Sequence, residues 1–429
     1  MNQGLVAAIF LFGMLAFMGV GVPLAFALLL TGASMAWALG FWDTQLFAQN
    51  LVAGVDSFPL LAIPFFILAG ELMNAGGISR RIIDMAQAWV GHIRGGLGYV
   101  VIGAAILMAS MSGSALADTA SLATILLPMM RQAGYPVDKS AGLIASGGII
   151  APIIPPSMPF VIYGVTTNTS ISALFLSGIV PGLIMGAGLI IAWRLVLRGT
   201  QLPEGVPMPL SGRLRATYKA FFALLMPVII IGGMKSGAFT PTEAAVVASV
   251  YALVVALFVH REMTFVQLHA VFVRAAKTTA IVMFLVAGAQ VASYMITLAD
   301  LPATLTGWLG PLVEHPRVLM AVMMFALIVV GTALDLTPTI LIMAPVLLPI
   351  ATQAGIDPVY FGLMFVLNGA IGLITPPVGT VLNVVAGVGR MRLEQVVRGV
   401  APYLITYLSI LALFIVFPQI VTAPLAWMR

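Results

Sequence analysis

The stretch "APIIPPSMPF" (residues 151–160) places two consecutive prolines inside a long apolar segment. Proline lacks a backbone N–H donor and its ring clashes with the preceding helical turn, so no continuous helix passes through this stretch. The same break recurs in "LITPPVGTV" (residues 373–381). One chain therefore interrupts two hydrophobic segments in the same way, and these two breaks decide how the rest of the sequence is interpreted.

Composition places both breaks in a membrane. The chain has 429 residues, of which 61% are hydrophobic and 8% are charged, and its mean hydropathy of +1.12 lies outside the range of soluble domains. Apolar stretches of about 17–25 residues, the length that crosses a bilayer, recur along the sequence. The start of the chain lacks the basic leader and cleavage site of a signal peptide, so the first span is expected to begin there. The sequence predicts an all-α polytopic membrane protein.

Several classes of function are not favoured. The sequence contains no cysteine, which excludes disulfides, iron–sulfur clusters and thiolate zinc sites. It contains no H-E-x-x-H and no Walker A motif, and its four histidines fall at the edges of apolar segments. An enzyme and an ATP-driven pump are therefore disfavoured, and a channel would be expected to show a ring of charged or carbonyl groups. The net charge of +5 does not indicate nucleic acid, because the basic residues fall in short loops.

The chain contains an internal repeat. The segment "LLPMMRQAGYP" (126–136) matches "LLPIATQAGIDP" (347–358), and the two proline pairs lie at the same offset of 221 residues. "SGIVPG" (177–182) and "RGVAPY" (398–403) also lie at that offset. Nearer the N-terminus the offset is 218 residues, so the second copy holds about three extra residues.

The repeat divides the chain into two similar halves. Each half is expected to contain a hairpin and a broken helix. The predicted boundaries are 1–193 for the first repeat (hairpin 97–130, broken helix 139–165), 194–219 for a linker, 220–418 for the second repeat (hairpin 317–351, broken helix 359–388) and 419–429 for a C-terminal tail.

Charge predicts that the two halves face opposite sides of the membrane. The linker carries five cations against the single acid Glu204, so it is expected in the cytoplasm. Arginine and lysine also flank the hairpin 97–130, whereas Glu314, Arg317 and Asp357 flank 317–351 without a positive bias. The first hairpin is therefore expected to open to the cytoplasm and the second to the periplasm, with both chain termini periplasmic.

Each hairpin is too short on either side of its polar centre to span a bilayer. The centres read "SMSGSALADTAS" (110–121) and "GTALDLTP" (331–338), and both are too polar for hydrocarbon. Non-helical backbone at membrane depth is tolerated only where protein or a watery cavity satisfies it. Two re-entrant hairpins facing two broken helices in inverted repeats are typical of secondary transporters, whose sites lie near the middle of the membrane.

Three groups of motifs point to a known family. "MSGSALADTAS…LLP…AGY…APIIPPS", "FTPTEAAVVASVYAL" and "LDLTPTILIMAPVLLPI…G…ITPP" resemble the large membrane (M) subunit of tripartite ATP-independent periplasmic (TRAP) transporters. The match covers essentially the whole chain. The resemblance implies an inverted-repeat elevator transporter of the bacterial cell inner membrane, driven by a sodium gradient, with two Na⁺ sites and no organic cofactor.

The resemblance also implies partners and a substrate. The expected partners are a small four-helix membrane subunit (Q-type), separate here because the chain begins at its first span, and a periplasmic substrate-binding protein (P-type). The substrate class is a small organic acid, such as a C4-dicarboxylate, sialic acid or another sugar acid. A stand-alone divalent-anion/sodium symporter shares the hairpin and broken-helix plan and remains the alternative.

Site residues are expected at the hairpin tips and the breaks. Carbonyl groups at helix C-terminal ends suit a hard cation such as sodium, and helix N-terminal ends suit an anion. The candidate sodium residues are Ser110, Ser112, Gly113, Ser114, Ala151 and Pro155 in the first half and Gly331, Thr332, Asp335, Thr337, Gly372, Thr375 and Pro376 in the second. The candidate substrate residues are Ser114, Pro156, Ser157, Pro377, Gly379, Thr380 and Asn383.

Some of these residues also have purely structural interpretations. "TPTE" (240–243) reads as a helix-capping box rather than a transport element. Asp118 is either a cation ligand or a cap for its own hairpin arm, and an acid inside the membrane such as Asp335 is a functional candidate by default. Trp89 and Trp308 are interpreted as anchors at the membrane interface.

Overall fold

The computed structural model describes the whole chain except residues 1–2, 201, 203–204, 300–306, 308–309, 333 and 429. The described residues form helices and contain no strand. The helices are α1 (Gln3–Gly19), α2 (Leu24–Leu39), α3 (Thr44–Ala53), α4 (Ala62–Ala75), α5 (Ile78–Val90), α6 (Gly96–Ser112), α7 (Ala115–Gln132), α8 (Val137–Gly148), α9 (Met158–Thr167), α10 (Ile171–Val196), α11 (Leu210–Lys235), α12 (Pro241–Val254), α13 (Phe265–Leu298), α14 (Pro316–Gly331), α15 (Leu336–Gln353), α16 (Pro358–Gly372), α17 (Thr380–Gly389), α18 (Leu393–Val416) and α19 (Gln419–Met428).

Length and hydropathy make this a multi-pass membrane protein. Within the described residues, seven helical stretches are long and apolar enough to cross a bilayer. They are Phe58–Ala75, Ile171–Val196, Leu210–Lys235, Pro241–Val259, Phe265–Leu298, Leu336–Gln353 and Leu393–Val416. The first arm of each hairpin and the helices flanking the breaks are shorter than 18 residues, as expected for segments that end inside the membrane.

The two hairpins have the same construction. Helices α6 and α7 pack against each other and are separated only by Gly113, which has a φ of +60°, and Ser114. Helices α14 and α15 pack in the same way around the tip between Gly331 and Leu336.

The proline pairs end helices where the sequence predicts. Helix α8 ends at Gly148 and α9 begins at Met158, while α16 ends at Gly372 and α17 begins at Thr380. Pro155–Pro156 and Pro376–Pro377 are both cis peptide bonds. Ser157 caps α9 by accepting a hydrogen bond from the Phe160 N–H at 3.4 Å.

The two halves interlock around these breaks. The second arm of each hairpin packs against the helix that follows the break in the other half: α7 against α17 and α15 against α9. The helix before each break also packs against a helix of the other half: α8 against α18, and α16 against α10. Tight backbone contact makes this possible, since a Cβ on Gly142 of α8 would lie 2.3 Å from the Gly399 carbonyl carbon of α18.

The remaining helices form a second group. Helix α4 packs against α12 and α13, and α2 packs against α1 and α13. This group, α1–α4 with α11–α13, meets the interlocked helices mainly where α4 touches α6 and where α13 touches α15. We call the group the scaffold and the interlocked helices α6–α10 and α14–α18 the core.

The amphipathic helix α5 connects scaffold and core. It packs against α6 and α11. Arg81 of α5 donates to Glu262, in the loop after α12, with Nη2–Oε1 at 2.5 Å, and this guanidinium lowers the pKa of the Glu262 carboxyl below its ordinary value. The Trp89 indole donates to Thr217 of α11 at 2.9 Å, as suits an anchor at the membrane interface. Trp308 lies outside the described residues.

The capping interpretation of residues 240–243 is confirmed. Thr240 Oγ1 accepts a hydrogen bond from the Glu243 N–H at 3.3 Å, and Glu243 Oε2 accepts one from the Thr240 N–H at 2.8 Å. The motif therefore fixes the start of α12.

Several boundaries differ from those predicted. Residues 419–428 of the predicted C-terminal tail are helical as α19, and α3 was not foreseen. The linker 194–219 is shorter than predicted because α10 continues to Val196 and α11 begins at Leu210. Long cationic side chains can sit on a helix near the headgroups while their stems cover apolar surface, so Arg213 and its neighbours do not end α11. Arg213 lies over the Trp89 ring at 5.8 Å.

The inverted orientation of the two hairpins can be tested at a matched pair of positions. Gln132 and Gln353 are exposed, lie at the repeat offset, and end α7 and α15. Because the native chain has no cysteine, Gln132→Cys should react with a membrane-impermeant maleimide only from the cytoplasmic side and Gln353→Cys only from the periplasmic side. Labelling of both from one side would contradict the inverted repeat.

Candidate functional site

The first hairpin tip lies directly on the first proline break. A Cβ on Gly113 would lie 2.5 Å from the Pro156 carbonyl oxygen and 3.1 Å from Ser157 Cα. Such distances exclude any side chain, so the backbones of the tip and the break are in contact. The sequence predicts this pairing, and the structure places the contact at Pro156 and Ser157, just after the predicted backbone 151–155.

Hydrogen bonds fix the shape of the first tip. Ser112 Oγ donates to Asp118 Oδ1 at 2.5 Å and accepts from the Ser114 N–H at 3.2 Å. Ser114 Oγ in turn accepts from the Ala117 N–H at 3.4 Å and caps α7. Asp118 therefore bonds to the last residue of α6 and orders the tip. The sequence interpretation of Asp118 as a cap of its own hairpin arm did not include this bond.

Two oxygens at the first tip have no protein partner. Asp118 is 1% exposed, and its Oδ2 atom is buried without a hydrogen bond. The Thr119 hydroxyl is also buried and unpartnered, and it lies against Gly148 at the end of α8, where a Cβ would meet it at 1.7 Å. A buried oxygen without a partner costs about 1–3 kcal/mol or more, so these atoms fit a bound cation.

The second hairpin tip repeats the arrangement. A Cβ on Gly372 would lie 3.1 Å from the backbone of Gly331, so the end of α14 touches the end of α16. The Asp335 carboxyl lies near Thr380 at the start of α17. The Thr380 hydroxyl nevertheless has no well-formed hydrogen bond and is buried. The predicted pairing of the second tip with the second break is thus present.

Most other hydroxyls in the predicted set bond to nearby backbone carbonyls. Their acceptors are carbonyl oxygens three to five residues earlier. These are Ser110 to Leu107 (2.6 Å), Ser157 to Pro152 (2.5 Å), Thr332 to Val329 (2.7 Å) and Thr375 to Ile371 (2.8 Å). Each of these oxygens still has a lone pair available for a cation. The Ser157 proton is used in the hydrogen bond to Pro152, which joins two residues of the first break. Thr337 is half-buried in the first turn of α15.

The two breaks differ in accessibility. Residues 151–157, which include Ala151, Pro155 and Pro156, are all buried. Pro376 is half-buried, Pro377 and Asn383 are exposed, and Gly379 is buried. Asn383 donates its side-chain N–H to the Val378 carbonyl at 2.9 Å.

Three further residues belong to the site by geometry. Asp118 and Thr119 supply the unpartnered oxygens at the first tip. Asn368 of α16 is fully buried, donates to the Met324 carbonyl at 2.8 Å, and leaves Oδ1 unpartnered. At the repeat offset, Asn368 replaces Gly147, so a comparison of the two copies for polar substitutions would have found it.

The available groups suit a hard cation. Carboxylate, hydroxyl, amide and backbone carbonyl oxygens are the ligands that alkali and alkaline-earth ions prefer, whereas transition metals prefer nitrogen and sulfur. Among the described residues, no three His, Cys, Asp or Glu side chains are grouped so that they could hold a metal ion. Each tip contributes one carboxylate, so main-chain and hydroxyl oxygens would complete the coordination.

The fold is that of a membrane transporter. The crystal structure of the Alcanivorax borkumensis YdaH transporter, described as having an unusual topology, is similar with a TM-score of 0.65. The similarity covers 88% of this chain and 89% of that one at 14% sequence identity, so it concerns the fold alone.

The chain belongs to the TRAP transporter large permease family. Residues 11–420 match the family described as tripartite ATP-independent periplasmic transporter, DctM component. The chain is 53% identical to the 2,3-diketo-L-gulonate TRAP transporter large permease protein YiaN of Escherichia coli (strain K12), over 98% of this chain and 99% of that protein. It is 40% identical to the sialic acid TRAP transporter large permease protein SiaM of Vibrio cholerae, over 95% and 96%. The predicted family is confirmed, and these relatives are transporters rather than enzymes.

The contact between the first hairpin tip and the first break predicts that adding one methyl group at Gly113 destabilises the protein. Gly113→Ala and Gly134→Ala both force alanine into positive φ, which costs about 1–2 kcal/mol, but only Gly113 faces another backbone. Gly113→Ala should destabilise the protein by roughly 1–3 kcal/mol more than Gly134→Ala, as overpacking does. Thermal unfolding of the two variants in detergent measures the difference. Equal destabilisation would show that the tip does not press on the break.

Proposed function

We propose that the protein uses a sodium gradient to take up a small organic acid delivered by a periplasmic binding protein. The observation that carries this proposal is the pairing of each hairpin tip with a broken helix, with oxygens left unpartnered at both. Family membership supports organic-acid uptake as the activity. The unpartnered oxygens support sodium as the coupling ion.

Each sodium ion would be held by one tip and its break. In the first site Ser112, Ser114 and Thr119 offer hydroxyl oxygens, Asp118 offers a carboxylate oxygen, and the backbone around Pro156 offers carbonyls. In the second site Asp335, Thr337 and Thr380 lie beside the backbone contact between Gly331 and Gly372. Because each site joins a hairpin to a break, occupancy by sodium would hold the two together and order the space between them.

The transported acid would bind at the N-terminal ends of the helices that follow the breaks. Helices α9 and α17 begin at Met158 and Thr380, and the positive end of each helix dipole favours a carboxylate there. The exposed second break, with Asn383, is the more accessible of the two. The 53% identity with a relative named for 2,3-diketo-L-gulonate favours a sugar acid over a C4-dicarboxylate, since the Pseudomonas aeruginosa relative named for C4-dicarboxylates is 39% identical.

The division into scaffold and core supports an elevator mechanism. Both candidate sites and both substrate-binding helix ends lie in the core, whose two halves interlock. The core would therefore carry its ligands as one body past the scaffold. In this proposal the hairpin tips cover the site from opposite sides of the bacterial inner membrane.

The partners follow from the family. A small Q-type membrane subunit would pack on the scaffold, and a P-type binding protein would deliver the acid at the periplasmic face. A relative named isethionate TRAP transporter permease protein DctMQ supports the first partner: this chain covers only 65% of its length, which leaves room for a second subunit. Membership in the large permease family favours this assembly over a stand-alone symporter.

Removing one hydroxyl from a sodium site should weaken sodium binding. Ser112→Ala and Thr337→Ala should each raise the sodium concentration for half-maximal uptake, because one oxygen ligand contributes about 1–3 kcal/mol, or up to roughly a hundredfold in affinity. Ser409→Ala is the matched control, since Ser409 is exposed on α18 and bonds only to the Ile405 carbonyl. If both tip variants keep the wild-type sodium dependence at normal expression, the sodium sites lie elsewhere.

Transport should require the whole assembly. Proteoliposomes with this chain alone should show no uptake, whereas the chain with its small subunit, the loaded binding protein and an inward sodium gradient should accumulate the acid. Uptake of radiolabelled substrate measures this, with sodium replaced by potassium as the control. Robust uptake by the isolated chain would favour the stand-alone symporter.

A further inference from the structure

A basic cavity lies where two core helices end. It has a volume of about 570 Å³ and is located at the C-terminal ends of α7 and α17. Three guanidinium groups line it, one from the first half of the chain and two from the second. The lining residues are Arg131, Val137, Asp138, Arg390, Met391, Arg392 and Gln395.

The arginines of this cavity are not neutralised by the protein. The ion pairs among the described residues are Arg81–Glu262 and Arg274–Glu71, so none of the three arginines is in one. Arg131 donates one hydrogen bond to the Gly389 carbonyl at 3.3 Å. Three cations around one cavity, with Asp138 as the single acid in its lining, leave a net positive charge and many free donors.

Arg390 occupies a backbone position that favours glycine. Its φ and ψ are 47° and 49°, in the left-handed region, at the C-terminal cap of α17. A non-glycine residue there costs of order 1 kcal/mol or more, and such residues concentrate at functional sites. The general preference for positive charge in cytoplasmic loops explains the number of cations. It does not explain why three converge on one cavity or why one takes this conformation.

The two helices that end at the cavity each begin at one of the candidate sites. Helix α7 begins at the first hairpin tip with Ser114 as its cap, and α17 begins at Thr380 beside Asp335 of the second tip. The two helices pack against each other along the way. The helices that begin at the two tips therefore end at the arginines.

We propose that Arg131, Arg390 and Arg392 form a cytoplasm-facing binding site for a small oxyanion, a carboxylate or phosphate, at the point where the transported acid leaves the core. Guanidinium groups bind such anions through paired, charge-assisted hydrogen bonds, and three of them line a cavity large enough for a sugar acid. The assignment to an exit site rests on the proposed function and orientation, whereas the anion site itself rests on the cavity alone. A phospholipid headgroup carries the same phosphate chemistry and is the competing source.

The binding test uses the full chain in nanodiscs of zwitterionic lipid. Inorganic phosphate or gluconate should raise the unfolding temperature of the wild type above that in sodium chloride of equal ionic strength. The variant Arg390→Gly with Arg392→Gln should need at least ~10-fold more anion for the same shift. Glycine suits the backbone at position 390, so this variant should fold. Arg198→Gln, an exposed arginine outside the cavity, is the control and should behave like the wild type.

The outcomes separate the sources. Equal shifts in the wild type and the cavity variant would overturn the proposal, and stabilisation that appears only when anionic lipid is added would assign the cavity to a headgroup instead. In proteoliposomes of the active assembly, internal gluconate should inhibit uptake, with a half-inhibitory concentration at least ~10-fold higher in the cavity variant and an unchanged external KM. Equal inhibition of the wild type and the cavity variant would show that the cavity is not an exit site for the transported acid. A wild type that binds anion but does not transport would refute the proposed function and leave the anion site standing.

Discussion

Broken helices inside a membrane leave backbone groups that water cannot reach, and this constraint governs the structure. Each proline pair ends one helix and starts another where hydrocarbon offers no hydrogen bonds. Each break meets a hairpin tip: at Gly113 in the first half, through a contact too close for a side chain, and at Gly331 in the second, through close packing against Gly372. Each hairpin tip therefore packs on a break, since the tip and the break supply polar partners to one another.

The exchange between the two halves explains why the repeat is needed. A single copy would expose the faces of α7 and α9 that pack on α17 and α15 of the other copy. With both copies present, the two breaks and two tips pack into one unit. Glycines at the crossing points, such as Gly142 and Gly399, allow the helices to approach closely enough for this interlocking.

The two copies are similar in construction and different in detail. The first break is fully buried, whereas the second is partly exposed. The first tip is ordered by the bond from Ser112 to Asp118, whereas Asp335 of the second tip lies near the unpartnered Thr380 hydroxyl. Asn368 stands where the first copy has Gly147. The two copies, although similar in plan, therefore differ in polarity and access.

The sequence by itself determined the class of fold, because hydropathy, the proline pairs and the repeat offset of 221 residues are properties of the chain alone. It also determined the family and the pairing of each tip with its own break. Tertiary structure decided the rest. The bond from Ser112 to Asp118 depends on how the hairpin tip itself folds. The burial of the Thr119 and Asn368 oxygens and the convergence of Arg131 with Arg390 depend on which faces of separate helices meet. Spacing along the chain fixes local periodicity, but a contact between residues more than two hundred positions apart is set by packing, which no local pattern encodes.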